Sequence, residues 1–183
     1  MYRTGRGRQP SHNMSSKEVV RLLERFESAR VRVWIDGGWG VDALFGEQLR
    51  SHDDLDVVVD INDVQQTVDV LRSAGYTHQE SEAPLSFMMV DPDGRQVDVH
   101  PATFDRHGNG SYQMSDGRTW IYTADGLAGR GSIGGKSVRC LTPEFQMTVH
   151  SGYELGKKDR DEVRLLNEKF GVDPPRGYEW PRE

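Results

Sequence analysis

One cysteine, Cys140, stands among 183 residues. A lone thiol excludes an intrachain disulfide and a cysteine-rich zinc site. Apolar runs are short: none approaches the ~18 residues that a membrane-spanning helix needs, so no membrane partner is expected. The N-terminus has no apolar stretch of the signal-peptide kind, which makes a cytoplasmic location the default expectation. Positive charge is in deficit, with 23 Lys and Arg against 29 Asp and Glu and a net charge of −6. A general nucleic-acid binder carries a basic surface, so no nucleic-acid partner is expected. An acidic chain still binds nucleotide phosphates when cations and a few Arg or Lys side chains are focused locally. Apolar residues make up only 35% of the chain, and the mean hydropathy is −0.70. The length suits one polar but globular domain with a core of its own and a small appendage.

Periodicity predicts the order helix, strand, helix, strand, helix, then strands, then two helices. Residues 1–14 carry no pattern and read as a disordered arm. Ser15 and Glu18 form a capping box ahead of a helix whose apolar face is Val19, Leu22, Leu23 and Phe26. Residues 31–35 read as a buried strand; Gly37 and Gly38 turn the chain; a short helix runs to Phe45 and ends at Gly46. A second strand covers 55–59, and a helix capped by Asn62 carries Val64, Val68 and Leu71 as far as Gly75. "LSFMMV" (85–90) and "QVDVH" (96–100) flank the turn sequence "DPDG" and predict a hairpin. Further strands are expected at 118–122 and 136–141, with a polar loop at 102–117. Thr142 caps a helix with Pro143 in its first turn, and Asp159 and Glu162 cap a last helix bearing Val163, Leu166 and Phe170. The domain therefore spans 15–141, a helical C-terminal region 142–172, and a Pro-rich tail 173–183. The class is α+β, a mixed α/β sheet flanked by helices.

Two glycine clusters invite phosphate readings. "GWGVDA" (38–43) matches G-x-G-x-x-A after a strand, with Asp60 downstream in the place of a ribose-binding acid. Against a Rossmann-type dinucleotide site stand Asp42, read as lying in the helix's first turn where it would repel phosphates, and Trp39, which blocks close backbone approach. "GRGSIGGKS" (129–137) resembles a phosphate loop, but Arg130 stands where the first glycine is needed, and the segment leads into a strand. A hairpin loop is the reading that fits it.

The carboxylates carry the chemistry. Positions two apart on a strand share a face, so Asp54 and Asp56 point one way while Leu55 and Val57 point the other. Asp98 and His100 form a second such pair. If the two strands are neighbours, Asp54, Asp56 and Asp98 converge. Such a set suits Mg²⁺, with room left for phosphate oxygens and water. Two such ions ~3.5–4 Å apart form the clamp for in-line nucleotidyl displacement. No D-x-D-x-D-G run exists to make a calcium loop.

The ordered combination "GGWGVD…R-x-H-x-D-L-D", with "VDVHP" at 97–101 and "HSGYEL" at 150–155, resembles the polymerase-beta-type nucleotidyltransferase superfamily. More narrowly it is similar to the antibiotic-modifying branch, the lincosamide and aminoglycoside 2''-nucleotidyltransferases, over about residues 17–170. One departure is Trp39, which stands where the wider superfamily has a phosphate-touching serine. The resemblance implies a nucleotidyltransferase fold and the transfer of a nucleoside monophosphate, most simply AMP from ATP, to a hydroxyl of a small antibiotic-like molecule. It implies Asp54, Asp56 and Asp98 as ligands of two Mg²⁺ ions, and Asp98 as the base. Gly37, Gly38, Arg50, His52, Lys157 and Lys158 would meet the nucleotide. Trp39 and His100 would meet the acceptor, and Trp120 and Tyr122 are further stacking candidates. A protein or tRNA acceptor, a catalytically silent nucleotide-binding or interaction protein, and a homodimer are the alternatives and the assembly compatible with the same residues.

Overall fold

The computed structural model describes residues 13–79, 86–114, 117–150, 155–174 and 178. The first twelve residues of the expected arm, most of the expected tail, Leu85 and the "SGYE" of the C-terminal motif lie outside the described residues.

Helix α1 (Ser16–Ser28) begins where the Ser15 hydroxyl accepts the Glu18 N–H at 3.3 Å. The Glu18 carboxylate pairs with Arg21 at 2.7 Å rather than returning to the cap. After β1 (Val33–Ile35) and α2 (Gly37–Phe45), Gly46 closes the helix at φ +77°. The long strand β2 (Asp54–Asp60) leads to α3 (Val64–Ser73). Asn62 does not cap α3: Asp60 accepts the Asn62 N–H at 2.9 Å and holds a 3-10 turn, Ile61–Asp63, ahead of the helix. The aspartate is the better acceptor, and it stands at the strand end where the chain must bend.

Strands β3 (Thr77–Gln79), β4 (Phe87–Val90) and β5 (Gln96–Phe104) follow, then β6 (Gly110–Gln113) and β7 (Thr119–Tyr122). The expected "DPDG" hairpin is present: Asp91 Oδ1 accepts the Asp93 and Arg95 N–H groups at 2.9 and 3.0 Å between antiparallel β4 and β5. Part of the expected loop 102–117 is strand instead. β5 runs on to Phe104, and β6 pairs with both β5 and β7. These edge strands are short and polar, and pairing rather than apolar alternation makes them. The glycine-rich segment 129–137 carries the expected hairpin loop, and its first half is itself a strand, β8 (Arg130–Ile133). It joins β9 (Lys136–Arg139) through Gly134 and Gly135, both at positive φ, as a hairpin. Helices α4 (Pro143–Val149) and α5 (Lys157–Phe170) finish the chain. The cap of α5 is Gly156, whose N–H donates to Asp159 Oδ2 at 2.7 Å; Asp159 and Glu162 lie inside the helix.

The main sheet has the order β1-β2-β5-β4-β3, with β6 and β7 beyond the end of β5. β2 and β5 are parallel, and the other pairs are antiparallel. Leu55, Val57, Val59, Val97 and Val99 face a core built with Leu22, Leu23, Phe26 and Leu71 of α1 and α3. Each such side chain stabilises by roughly 1.5–3 kcal/mol. On the other face Val58, Trp34, Ala102, Tyr122, Leu141 and Phe145 form a second cluster. Val41, Met147, Val163 and Leu166 tie α2 to α4 and α5. Order begins before Ser15, because Met14 is fully buried and donates its N–H to the His52 carbonyl at 2.7 Å. Among the described residues no helix is long and apolar enough to cross a membrane.

Candidate active site

Apolar residues drive β2 and β5 into the centre of the sheet, and their alternation leaves the acids on the opposite face from the α1–α3 core. The parallel register sets Asp56 beside Asp98, with Asp54 beside Gln96. Convergence on one face is thus realised, although the carboxylate oxygens stay spread. Among the described residues, the group of three whose ligand atoms all fall within 4.8 Å is His150, Asp159 and Glu162, not the three aspartates.

The acids feel one another. Burial, then the charges of Asp56 and Asp54, push the Asp98 carboxyl up to about 6, against an opposing pull from His100. Burial and Asp56 also raise Asp54. His100 Nε2 lies 3.3 Å from Asp56 Oδ1; burial lowers its affinity for the proton, but the Asp56 hydrogen bond and charge outweigh that and raise it. His100 meets Tyr112 edge to face at 5.5 Å. Three mutually repelling carboxylates with all-oxygen donor atoms fit a hard divalent cation, which would relieve the repulsion.

Beside them begins α2. Its cap is Asp36, whose backbone N–H donates to the Asp56 carbonyl at 3.0 Å and whose Oδ1 accepts the Gly37 N–H at 2.7 Å. The N–H groups of Gly38 and Trp39, in the same turn, have no acceptor among the described residues. Gly37 adopts φ +59°, and a Cβ there would strike the Asp56 carboxylate. A Cβ on Gly38 would strike the Arg50 guanidinium and the His52 ring. Both glycines therefore make room for the side chains of Asp56, Arg50 and His52, and they lie inside a helix start rather than in a free turn.

Asp36 escaped sequence reasoning. It is 8% exposed, and burial followed by the Asp56 charge raises it to about 6. The Tyr122 hydroxyl donates to its Oδ2 at 3.4 Å. The available signal was its place before Gly37-Gly38, where a helix cap belongs. Tyr122 itself is buried, so it supports Asp36 and is not a stacking platform.

Other expected contacts are turned inward. His52 is 1% exposed, with Nε2 2.6 Å from Asp42 Oδ2, and its ring lies 4.7 Å from that of Trp39. Trp39 is 2% exposed and belongs to the core. Neither side chain presents itself to a ligand. Asp42 stands beyond the first turn of α2, so it would not have repelled phosphates as argued. The Rossmann reading fails on topology instead, because β1 and β2 are antiparallel where that unit needs parallel strands. Trp34 is likewise core, donating to the Leu127 carbonyl at 3.0 Å. Trp120 packs edge-on to Phe145 at 6.0 Å.

Arg50 reaches the α2 start but is bound from behind, with Nη2 2.6 Å from Glu162 Oε1. Lys157 opens α5, 85% exposed and paired with Asp161 at 2.7 Å. Lys158 beside it is exposed. The structure does not bring these lysines against the aspartates.

The family model described as aminoglycoside-2''-adenylyltransferase matches residues 18–166. A lincosamide resistance protein from Staphylococcus haemolyticus is 28% identical over 156 residues, which is 85% of this chain and 96% of that one. The crystal structure of the lincosamide antibiotic adenylyltransferase LnuA with lincomycin bound superposes at a TM-score of 0.75 and 28% identity, covering 85% of this chain and 98% of the other. ANT(2'')-Ia in complex with adenylyl-2''-tobramycin shares the fold, at a TM-score of 0.66 and 19% identity over 85% of this chain and 89% of that one.

Proposed function

The chain belongs to the aminoglycoside-2''-adenylyltransferase family, and from that premise we propose that it transfers AMP from ATP to a hydroxyl of a lincosamide- or aminoglycoside-like antibiotic, releasing pyrophosphate. The observation that carries the reading is the placement of Asp54, Asp56 and Asp98 on one face of adjacent strands, beside the glycine-opened start of α2. Asp54, Asp56 and Asp98 would hold Mg²⁺, whose charge would offset that of the triphosphate and of the departing pyrophosphate.

The chain's own groups do the rest. The backbone N–H groups of Gly38 and Trp39, which have no acceptor among the described residues, donate to phosphate oxygens at the positive end of α2. Arg50 adds a fixed positive charge over the same turn. Asp98 takes the proton from the acceptor hydroxyl at a carboxylate oxygen as that hydroxyl attacks the alpha-phosphate. Mg²⁺ bound beside it would offset the repulsion from Asp54 and Asp56 and keep Asp98 ionised, the form that takes a proton. His100 faces Asp56, Asp36 and Asp98, and its positive charge, when protonated, offsets theirs.

The test is a panel of lincosamides and aminoglycosides incubated with the protein and Mg-ATP, read by mass spectrometry. The expected product carries one added AMP. Transfer to no member of the panel, with AMP appearing instead on a protein or tRNA, would overturn the acceptor class. Full turnover in excess EDTA would overturn the metal.

A further inference from the structure

Arg50 lies in the segment between α2 and β2, which has no regular structure of its own, so its backbone does little to aim its side chain. Yet its guanidinium is set where a Cβ on Gly38 would stand, against the first turn of α2. The hold comes from a residue 112 positions away. Glu162 Oε1 accepts both Nε, at 2.9 Å, and Nη2, at 2.6 Å. Nη1 donates to the Ser51 carbonyl at 3.1 Å. Of the five N–H bonds, one on Nη1 and one on Nη2 therefore have no acceptor among the described residues, which is the pair that forks onto a phosphate. The Glu162 side chain is only 7% exposed, and its second oxygen lies 3.4 Å from His150 Nε2 on the neighbouring α4 terminus.

We propose that Glu162 is a positioning residue: from α5 it pre-sets the Arg50 guanidinium for the triphosphate. The proposal rests on the reading above that a nucleoside triphosphate occupies the α2 start. Charge alone would not place a buried carboxylate there, because it cancels the arginine and repels phosphate. Orientation does account for it. A loop arginine has several free rotors, and fixing them in the unbound protein removes that entropic cost from ligand binding. The phosphate site thereby becomes answerable to the C-terminal helices.

The two accounts differ in sign. Equilibrium titration of the whole chain with Mg-ATP should show Glu162→Gln weakening binding on the order of tenfold, about 1.4 kcal/mol. Glu162→Asp, which keeps the carboxylate, should recover part of the loss. The Arg50→Ala/Glu162→Gln double variant should bind no more weakly than Arg50→Ala alone, since Glu162 acts through Arg50. Melting curves without ligand establish that each variant is folded. Should Glu162→Gln fold poorly, Arg50→Lys carries the test: it keeps the charge, loses the fork, and should also weaken Mg-ATP. Unchanged or tighter binding by the folded Glu162→Gln, losses that multiply in the double variant, or normal binding by Arg50→Lys would overturn the proposal alone. A wild-type protein that binds no Mg-nucleotide would overturn the functional reading and this one with it.

Discussion

Asp98 is under two opposed demands. In the proposed reaction it would have to be ionised to hold a cation and take a proton, yet burial and its neighbours' charges resist ionisation and raise it to about 6. Because the folded chain holds that proton more tightly than the unfolded one, its stability falls as pH rises through about 4 to 6, and the cost is complete above that range. Asp36 adds a cost of the same sign over the same range. Asp98→Asn should accordingly raise the melting temperature in metal-free buffer at neutral pH, by ~2–4 °C for each kcal/mol of repulsion removed. Near pH 4 the two proteins should melt alike, and Mg²⁺ should narrow the gap at neutral pH; calorimetry in EDTA and in Mg²⁺ checks this. The same variant should bind Mg-ATP within roughly tenfold of wild type while losing on the order of a hundredfold in turnover. Normal turnover would remove Asp98 as the base. The strand alternation made Asp54, Asp56 and Asp98 readable. The resemblance set His52 at the nucleotide and Trp39 at the acceptor, whereas both side chains are buried: a histidine or tryptophan beside a glycine turn looks the same in sequence whether it faces a ligand or the core. Asp42, ten positions before His52, decides the matter by bonding its ring in the interior.

The start of α2 is the element on which the site depends. Gly37→Ala would place a side chain at φ +59° and into Asp56, and should cost at least ~1–2 kcal/mol and abolish Mg-ATP binding. Gly38→Ala should displace Arg50 and weaken binding by a comparable route. Gly135→Ala is the control: at φ +81° a Cβ meets nothing within 4 Å, so stability should fall while Mg-ATP affinity stays the same. Urea titrations with and without Mg-ATP separate the cases. Trp39→Ala should destabilise by about 3–5 kcal/mol, as loss of a buried aromatic ring. A small change in stability with a large loss of acceptor binding would instead restore Trp39 to the substrate site. Helices α1 and α3 were readable from their apolar faces and α2 from its position between strand and Gly46. β6 and β8 were not, because their positions are set by pairing partners and carry little apolar pattern of their own.

Across the whole molecule, ligand binding should register as stability. Mg-ATP should raise the melting temperature, by ~2.7 kcal/mol of stabilisation at a hundredfold excess over Kd. ATP in EDTA should do much less, because the three aspartates would then face the triphosphate unshielded. NAD should do nothing, and a shift with NAD alone would reopen the dinucleotide reading that the antiparallel β1–β2 pair excludes. The amino-acid sequence by itself determined which segments are helix and central strand, that Asp54 and Asp56 share the face turned away from Leu55 and Val57, and that glycines stand at the junction of a strand and a helix. These are local matters of period two, period 3.6 and backbone freedom. Tertiary structure alone decided that Asp56 and Asp98 are neighbours, that Asp36 joins them under the Tyr122 hydroxyl, and that Glu162 reaches back to Arg50. Those contacts join residues 42, 86 and 112 positions apart. No local pattern encodes them, because they follow from which strands pair and how the last helices pack against α2.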